Sequence, residues 1–220
     1  MATEEELTNN LKEYEIATNT FYLYLGRFLH QFSILENAML ILLIRITGVS
    51  EEVGKSIYSG TRISTSKDFV NRTLDATGRK KTKENLKPYF DRIGIINNTR
   101  DDILHYGAIY DFQEKALIVS NERVAHISDK KRQYIVTPKI LDDMTHDVMR
   151  IIHALLRLGE PPDLSRPEVF EAEHSLSWRY KQPPLIPREI GLSRMIQELK
   201  RQLREEEEKL HQVDQEAKGS

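Results

Sequence analysis

Apolar residues along the chain first fall into a long helical rhythm. Phe21, Leu25, Phe28, Phe32, Leu35, Met39, Leu42 and Ile46 step alternately by four and three, and Leu29, Leu40 and Leu43 widen the stripe. That spacing keeps one helix face apolar throughout, so it predicts a long core helix ending near Gly48. A second helix is predicted over 83–106, with Leu86, Phe90, Ile93, Ile96, Ile103 and Leu104 as its apolar members. Pro88 inside it predicts a kink, or a helix start close by. The third helix has the clearest ends. Thr137 can cap it and Pro138 suits its first turn; Leu141, Met144, Val148, Ile151, Leu155 and Leu158 follow before Gly159. Short helices capped by serine are predicted over 50–58 and 66–77.

Between Gly107 and Thr137 the period changes. Residues 116–119, 123–127 and 134–136 are short β-branched-rich runs separated by turn residues, which predicts a small antiparallel hairpin or three-stranded flap. Residues 160–187 hold six prolines and little periodicity. Trp178, the only tryptophan, stands in this stretch and is expected to pin it onto the helical body. Beyond it, Leu192, Ile196, Leu199, Leu203, Leu210 and Val213 keep a heptad broken by Glu206. This predicts a long charged helix, either one strand of a coiled coil or a solvated helix lying against its own domain. The expected fold class is mainly α. An up-and-down helical bundle over 1–159 carries a β-hairpin insertion at about 108–137, and a Pro-rich linker over 160–190 leads to the C-terminal helix over 191–220.

Composition narrows the function classes. The 220 residues fit one domain with an appendage, and a mean hydropathy of −0.52 puts part of the chain outside any core. With 32 Lys and Arg against 34 Asp and Glu, no chain-wide basic field is available to hold nucleic acid. A local patch would be needed. Arg79, Lys80, Lys81 and Lys83, ahead of the second helix, are the best candidates for contacting an RNA backbone; the alternative is a solvated turn. The absence of cysteine excludes disulfides, thiolate metal sites and thiol nucleophiles. No glycine-rich phosphate loop and no G-x-S-x-G elbow occurs. His146 and His153 share a helix face without an H-E-x-x-H pattern, so neither a metal nor any other cofactor is expected. The start, MATEEEL, is acidic, and the most apolar uncharged stretch, 37–44, has eight residues. A span needs about twenty, so a soluble, cytoplasmic protein without a membrane partner is expected.

One segment can carry chemistry: Asn97-Asn98-Thr99-Arg100-Asp101-Asp102-Ile103-Leu104-His105-Tyr106-Gly107, at the end of the second long helix. Asn97, Asp101 and His105 are spaced i, i+4, i+8 and share a face, and the Arg100 side chain is long enough to reach the same space. A guanidinium binds a phosphate diester through its fork of donors, and an imidazole can shuttle a proton near neutrality. A neighbouring carboxylate can hold that imidazole in one tautomer. Arginine plus histidine suffices for phosphodiester cleavage when a ribose 2′-hydroxyl is the nucleophile. Chance alone gives the pattern Arg, then Asp or Asn, then His four further on about 0.05 times in such a chain.

The string Arg100-Asp101-Asp102-Ile103-Leu104-His105 resembles the R-[ND]-x-x-x-H signature of the HEPN superfamily. The helix around Phe28-Leu29-His30-Gln31-Phe32-Ser33-Ile34-Leu35-Glu36-Asn37-Ala38-Met39-Leu40 is similar to the F-x-x-L-E-x-x-L first helix of many members. The likeness covers roughly residues 15–158. It implies a homodimeric bundle with two Arg/His motifs across a cleft, and a metal-independent endoribonuclease acting on RNA, often as a toxin or in phage defence. It also implies roles: Arg100 for charge on the phosphate, His105 as general acid or base, Asp101 to orient them. The resemblance leaves room for an antitoxin or another protein partner. Non-catalytic relatives make a dimeric protein-interaction module the alternative. The sequence departs from the toxin branch, which carries H-x-Y where Gly107 stands here. Glu36, at the edge of the first apolar stripe, is expected either to face the cleft or to pair with Arg100 or a backbone donor.

Overall fold

The computed structural model describes residues 4–121, 132–158 and 177–186. Among these, five helices surround one core and a three-stranded antiparallel sheet caps one side. The chain is mainly α, with a small β insertion. Helix α1 (Glu4–Thr47) is the central element, lying along α5 (Pro138–Leu158) and against α3 (Ile63–Ala76). Helix α2 (Glu51–Tyr58) returns over the end of α1, and α4 (Lys80–Tyr106) packs between α3 and α5.

The stripe read from the sequence is the core face of α1. Phe21, Phe28, Phe32, Leu35, Met39, Leu42, Leu43 and Ile46 are all buried, and the helix stops before Gly48. Its start lies earlier than the stripe indicated, at Glu4, so several turns precede the bundle. By length and composition α1 could also cross a membrane. A hydropathy average tolerates isolated charges, which the count of uncharged residues did not. In the bundle this helix turns its apolar face to α3 and α5.

Helix α4 runs unbroken through Pro88, although proline there removes a donor and crowds the preceding turn. Leu86, Tyr89 and Phe90 are buried on either side of it, so packing holds both halves in line. Leu104, expected in the core, is 45% exposed, because it stands about 100° round the helix from Ile103, whose side of the last turn is the buried one. Ser50 caps α2 by accepting from the Val53 amide. Helix α3 begins at Ile63 rather than at the expected serine; Ser66 is instead buried within it. Thr137 accepts from the Ile140 amide at the start of α5, as its position indicated.

Strands β1 (Ile109–Asp111), β2 (Ala116–Ser120) and β3 (Gln133–Val136) pair in the order β1-β2-β3, with Tyr110 opposite Leu117 and Leu117 opposite Val136. Strand β1 was not anticipated, being only three residues long. The run 123–127 and the C-terminal helix lie outside the described residues. Part of the proline-rich stretch, 177–186, lies on the body as a strap. Tyr180 is buried, Trp178 is half-buried, and the Ile186 amide donates to the Gln133 carbonyl of β3.

Candidate functional site

The motif occupies the last two turns of α4, which ends at Gly107 with φ 71°, a backbone region that favours glycine. Three of its residues meet. Asn97 donates from Nδ2 to Asp101 Oδ2 at 2.9 Å, and Arg100 donates from Nη1 to Asp101 Oδ1 at 2.8 Å. One carboxylate therefore holds both the amide and the guanidinium. From α1, the Phe32 ring lies 4.9 Å from the Arg100 guanidinium carbon, close enough for a cation–π contact. The Arg100 Nε is buried with no hydrogen-bond partner among the described residues, while 28% of the side chain is exposed. Asp101 holds one arm of the fork and Phe32 lies over its face, and part of the side chain stays open to water.

His105 is exposed and its ring stands 6.4 Å from Tyr106. Five residues separate it from Arg100, which on a helix is about 140° of rotation and roughly 7.5 Å of rise. The two groups thus leave α4 on different sides, and no hydrogen bond joins them among the described residues. Asp101 holds Arg100 but makes no hydrogen bond to His105.

One sequence expectation needs correction. Glu36 does not pair with Arg100: it is exposed, with no hydrogen bond or ion pair among the described residues. Asp101, the immediate neighbour, meets that charge instead. The basic stretch stands at the start of α4, where the sequence put it. Arg79, Lys80 and Lys81 are exposed at the opposite end of α4, about 30 Å from Arg100 at 1.5 Å per residue. Lys83 is held by Asp75, with Nζ 2.7 Å from both carboxylate oxygens. His146 and His153 are exposed on the flank of α5.

Asp102 was quoted in the motif without a role. It is buried, accepting from Arg132 Nη2 at 2.7 Å and from the Tyr134 hydroxyl at 3.2 Å. Burial raises its carboxyl above the ordinary Asp value, outweighing the pull of Arg132 and Tyr134 in the other direction. Burial, and then the Asp102 charge, likewise raise the Tyr134 phenol, which stays a neutral donor. The motif helix is thereby bolted to β3.

A second polar cluster escaped the sequence reading. Arg92 of α4 and Asp147 of α5 form a buried pair, 7% and 1% exposed, with Nε 3.0 Å from Oδ2. Arg92 also donates to the Tyr180 carbonyl, and Asp147 accepts from the amides of Arg179 and Tyr180, each at 3.0 Å. The Trp178 ring lies 5.4 Å from the guanidinium carbons of both Arg92 and Arg150. The Tyr180 hydroxyl meets Thr99, the residue before Arg100, at 2.6 Å. A signal existed: Asp147 falls three residues after Met144 and four before Ile151, inside an apolar stripe.

Compared with known proteins, the chain matches no family model, no curated protein and no solved structure.

Proposed function

We propose that the protein is a metal-independent endoribonuclease of HEPN type, with Arg100 and His105 as its reacting side chains and RNA as its substrate. The observation that carries this reading is the partly open Arg100 side chain: a guanidinium fixed by Asp101 and Phe32, one helix terminus shared with an exposed imidazole. Because the two groups diverge around α4, a centre using both takes Arg100 from one chain and His105 from its twin, which calls for a homodimer. In the reaction the ribose 2′-oxygen bonds to phosphorus and its proton passes to a base. The bond to the 5′-oxygen breaks, that oxygen is protonated, and a 2′,3′-cyclic phosphate and a 5′-hydroxyl remain. His105 serves the proton transfers, and Arg100 meets the charge that grows on the phosphoryl oxygens.

RNA degradation in EDTA by the wild type, reduced at least ~100-fold in both Arg100→Ala and His105→Ala with unchanged thermal stability, is the expected result. Equal behaviour of all three proteins would sink it. A second reading is favoured by the Asp101 and Phe32 contacts, since they are also what a purely structural arginine makes. In that case the protein is a non-catalytic, HEPN-like dimeric interaction module, and Arg100→Ala lowers stability while His105→Ala changes nothing.

A further inference from the structure

The apolar stripe of α1 begins before the bundle does. Leu7, Leu11 and Tyr14 step by four and three and fall in line with Phe21, Leu25, Phe28 and Phe32. From Phe21 onward much of that stripe is buried, but Leu7 and Leu11 are 55% and 61% exposed. The β1–β2 hairpin braces the base of the overhang. There Tyr14 meets Tyr110 at 5.5 Å and Phe112 at 5.9 Å, and Lys115 pairs with Glu13. A free helix of two or three turns is marginal in water, and a row of exposed leucines adds to the cost.

Charge and reach single out an occupant. Residues 4–17 hold five glutamates and one lysine, a net −4. Residues 192–204 hold Arg194, Lys200, Arg201 and Arg204 against Glu198, a net +3, around the heptad Leu192, Ile196, Leu199 and Leu203. Ile186 is tied to β3, two strands across from the β1 that carries Tyr110, or about 10 Å. The six steps from Ile186 to Leu192 span up to about 20 Å when extended. Pairing this overhang with the overhang of a second copy would instead bring −4 against −4.

We infer that residues 192–204 dock as an antiparallel helix on the overhang of α1 in the same chain. Its heptad of apolar residues would cover Leu7, Leu11 and Tyr14, and its net positive charge would face the net negative charge of residues 4–17. Nothing in this docking depends on the ribonuclease reading.

The test uses the full chain. Lysine cross-linking of an equal mixture of 14N- and 15N-labelled protein should join Lys12 to Lys200 within single chains. Links of mixed isotope would assign the face to a second copy and overturn the proposal; so would the absence of any such link. In hydrogen exchange, Lys200→Glu/Arg201→Glu/Arg204→Glu should speed exchange across residues 7–17 at least tenfold. Adding Glu4→Lys/Glu5→Lys/Glu6→Lys should restore it. Exchange unaffected by the first triple change would also overturn the proposal.

Discussion

Two arginines on α4 show how the surroundings decide what one side chain does. Arg92 is enclosed: its charge is met by Asp147, its fork also serves the strap carbonyl, and two aromatic rings flank it. Arg100 meets one carboxylate and one ring and keeps part of its side chain in water. The first arrangement is structural and the second leaves donors for a ligand. Breaking the first by Asp147→Asn leaves a buried guanidinium without its counter-charge, a change worth about 3–5 kcal/mol. Urea unfolding should register that loss. Trp178 fluorescence should shift to the red even without denaturant, because Asp147 also holds the neighbouring Arg179 and Tyr180 amides. An unshifted spectrum would mean that the strap is held by other contacts.

At the scale of the elements, close approach matters more than propensity. Helix α2 crosses α1 where Gly54 is buried, and a Cβ there would stand 2.3 Å from Ile44 Cγ1. Alanine ordinarily helps a helix, yet Gly54→Ala must push α2 off α1. The overlap with a branched side chain near its base outweighs the propensity gain, so a net loss of about 1–3 kcal/mol is expected. A thermal melt of the variant that matched or exceeded the wild type would contradict the packing of α2. Helix α4 teaches the same lesson through Pro88, which ends helices in isolation but is carried here by buried residues on either side.

For the whole molecule, Asp102 links the motif helix to the sheet and links stability to pH. Its carboxyl titrates above the ordinary 3.8, so between that value and its folded value the folded state binds the extra proton. The stability this contributes is present in full below 3.8 and is lost as pH rises through the folded value. Asp102→Asn removes that slope, so urea midpoints measured across the acid range should fall with pH less steeply in the variant than in the wild type. Parallel curves would show that Arg132 cancels the effect of burial.

The amino-acid sequence by itself determined the helical stripes, the caps at Ser50 and Thr137, two of the three strands and the helix end that carries Arg100 and His105. Each of these is written in residues a few positions apart, where periodicity and backbone preference act directly. Tertiary structure alone decided that Arg92 meets Asp147 across 55 positions and that Tyr180 reaches Thr99 across 81. It also set Phe32 against Arg100 and left Glu36 in solvent. Such pairings follow from how finished elements stack. A local pattern can mark a charged residue on an apolar face, but only the packed neighbours determine its partner and how much water reaches it.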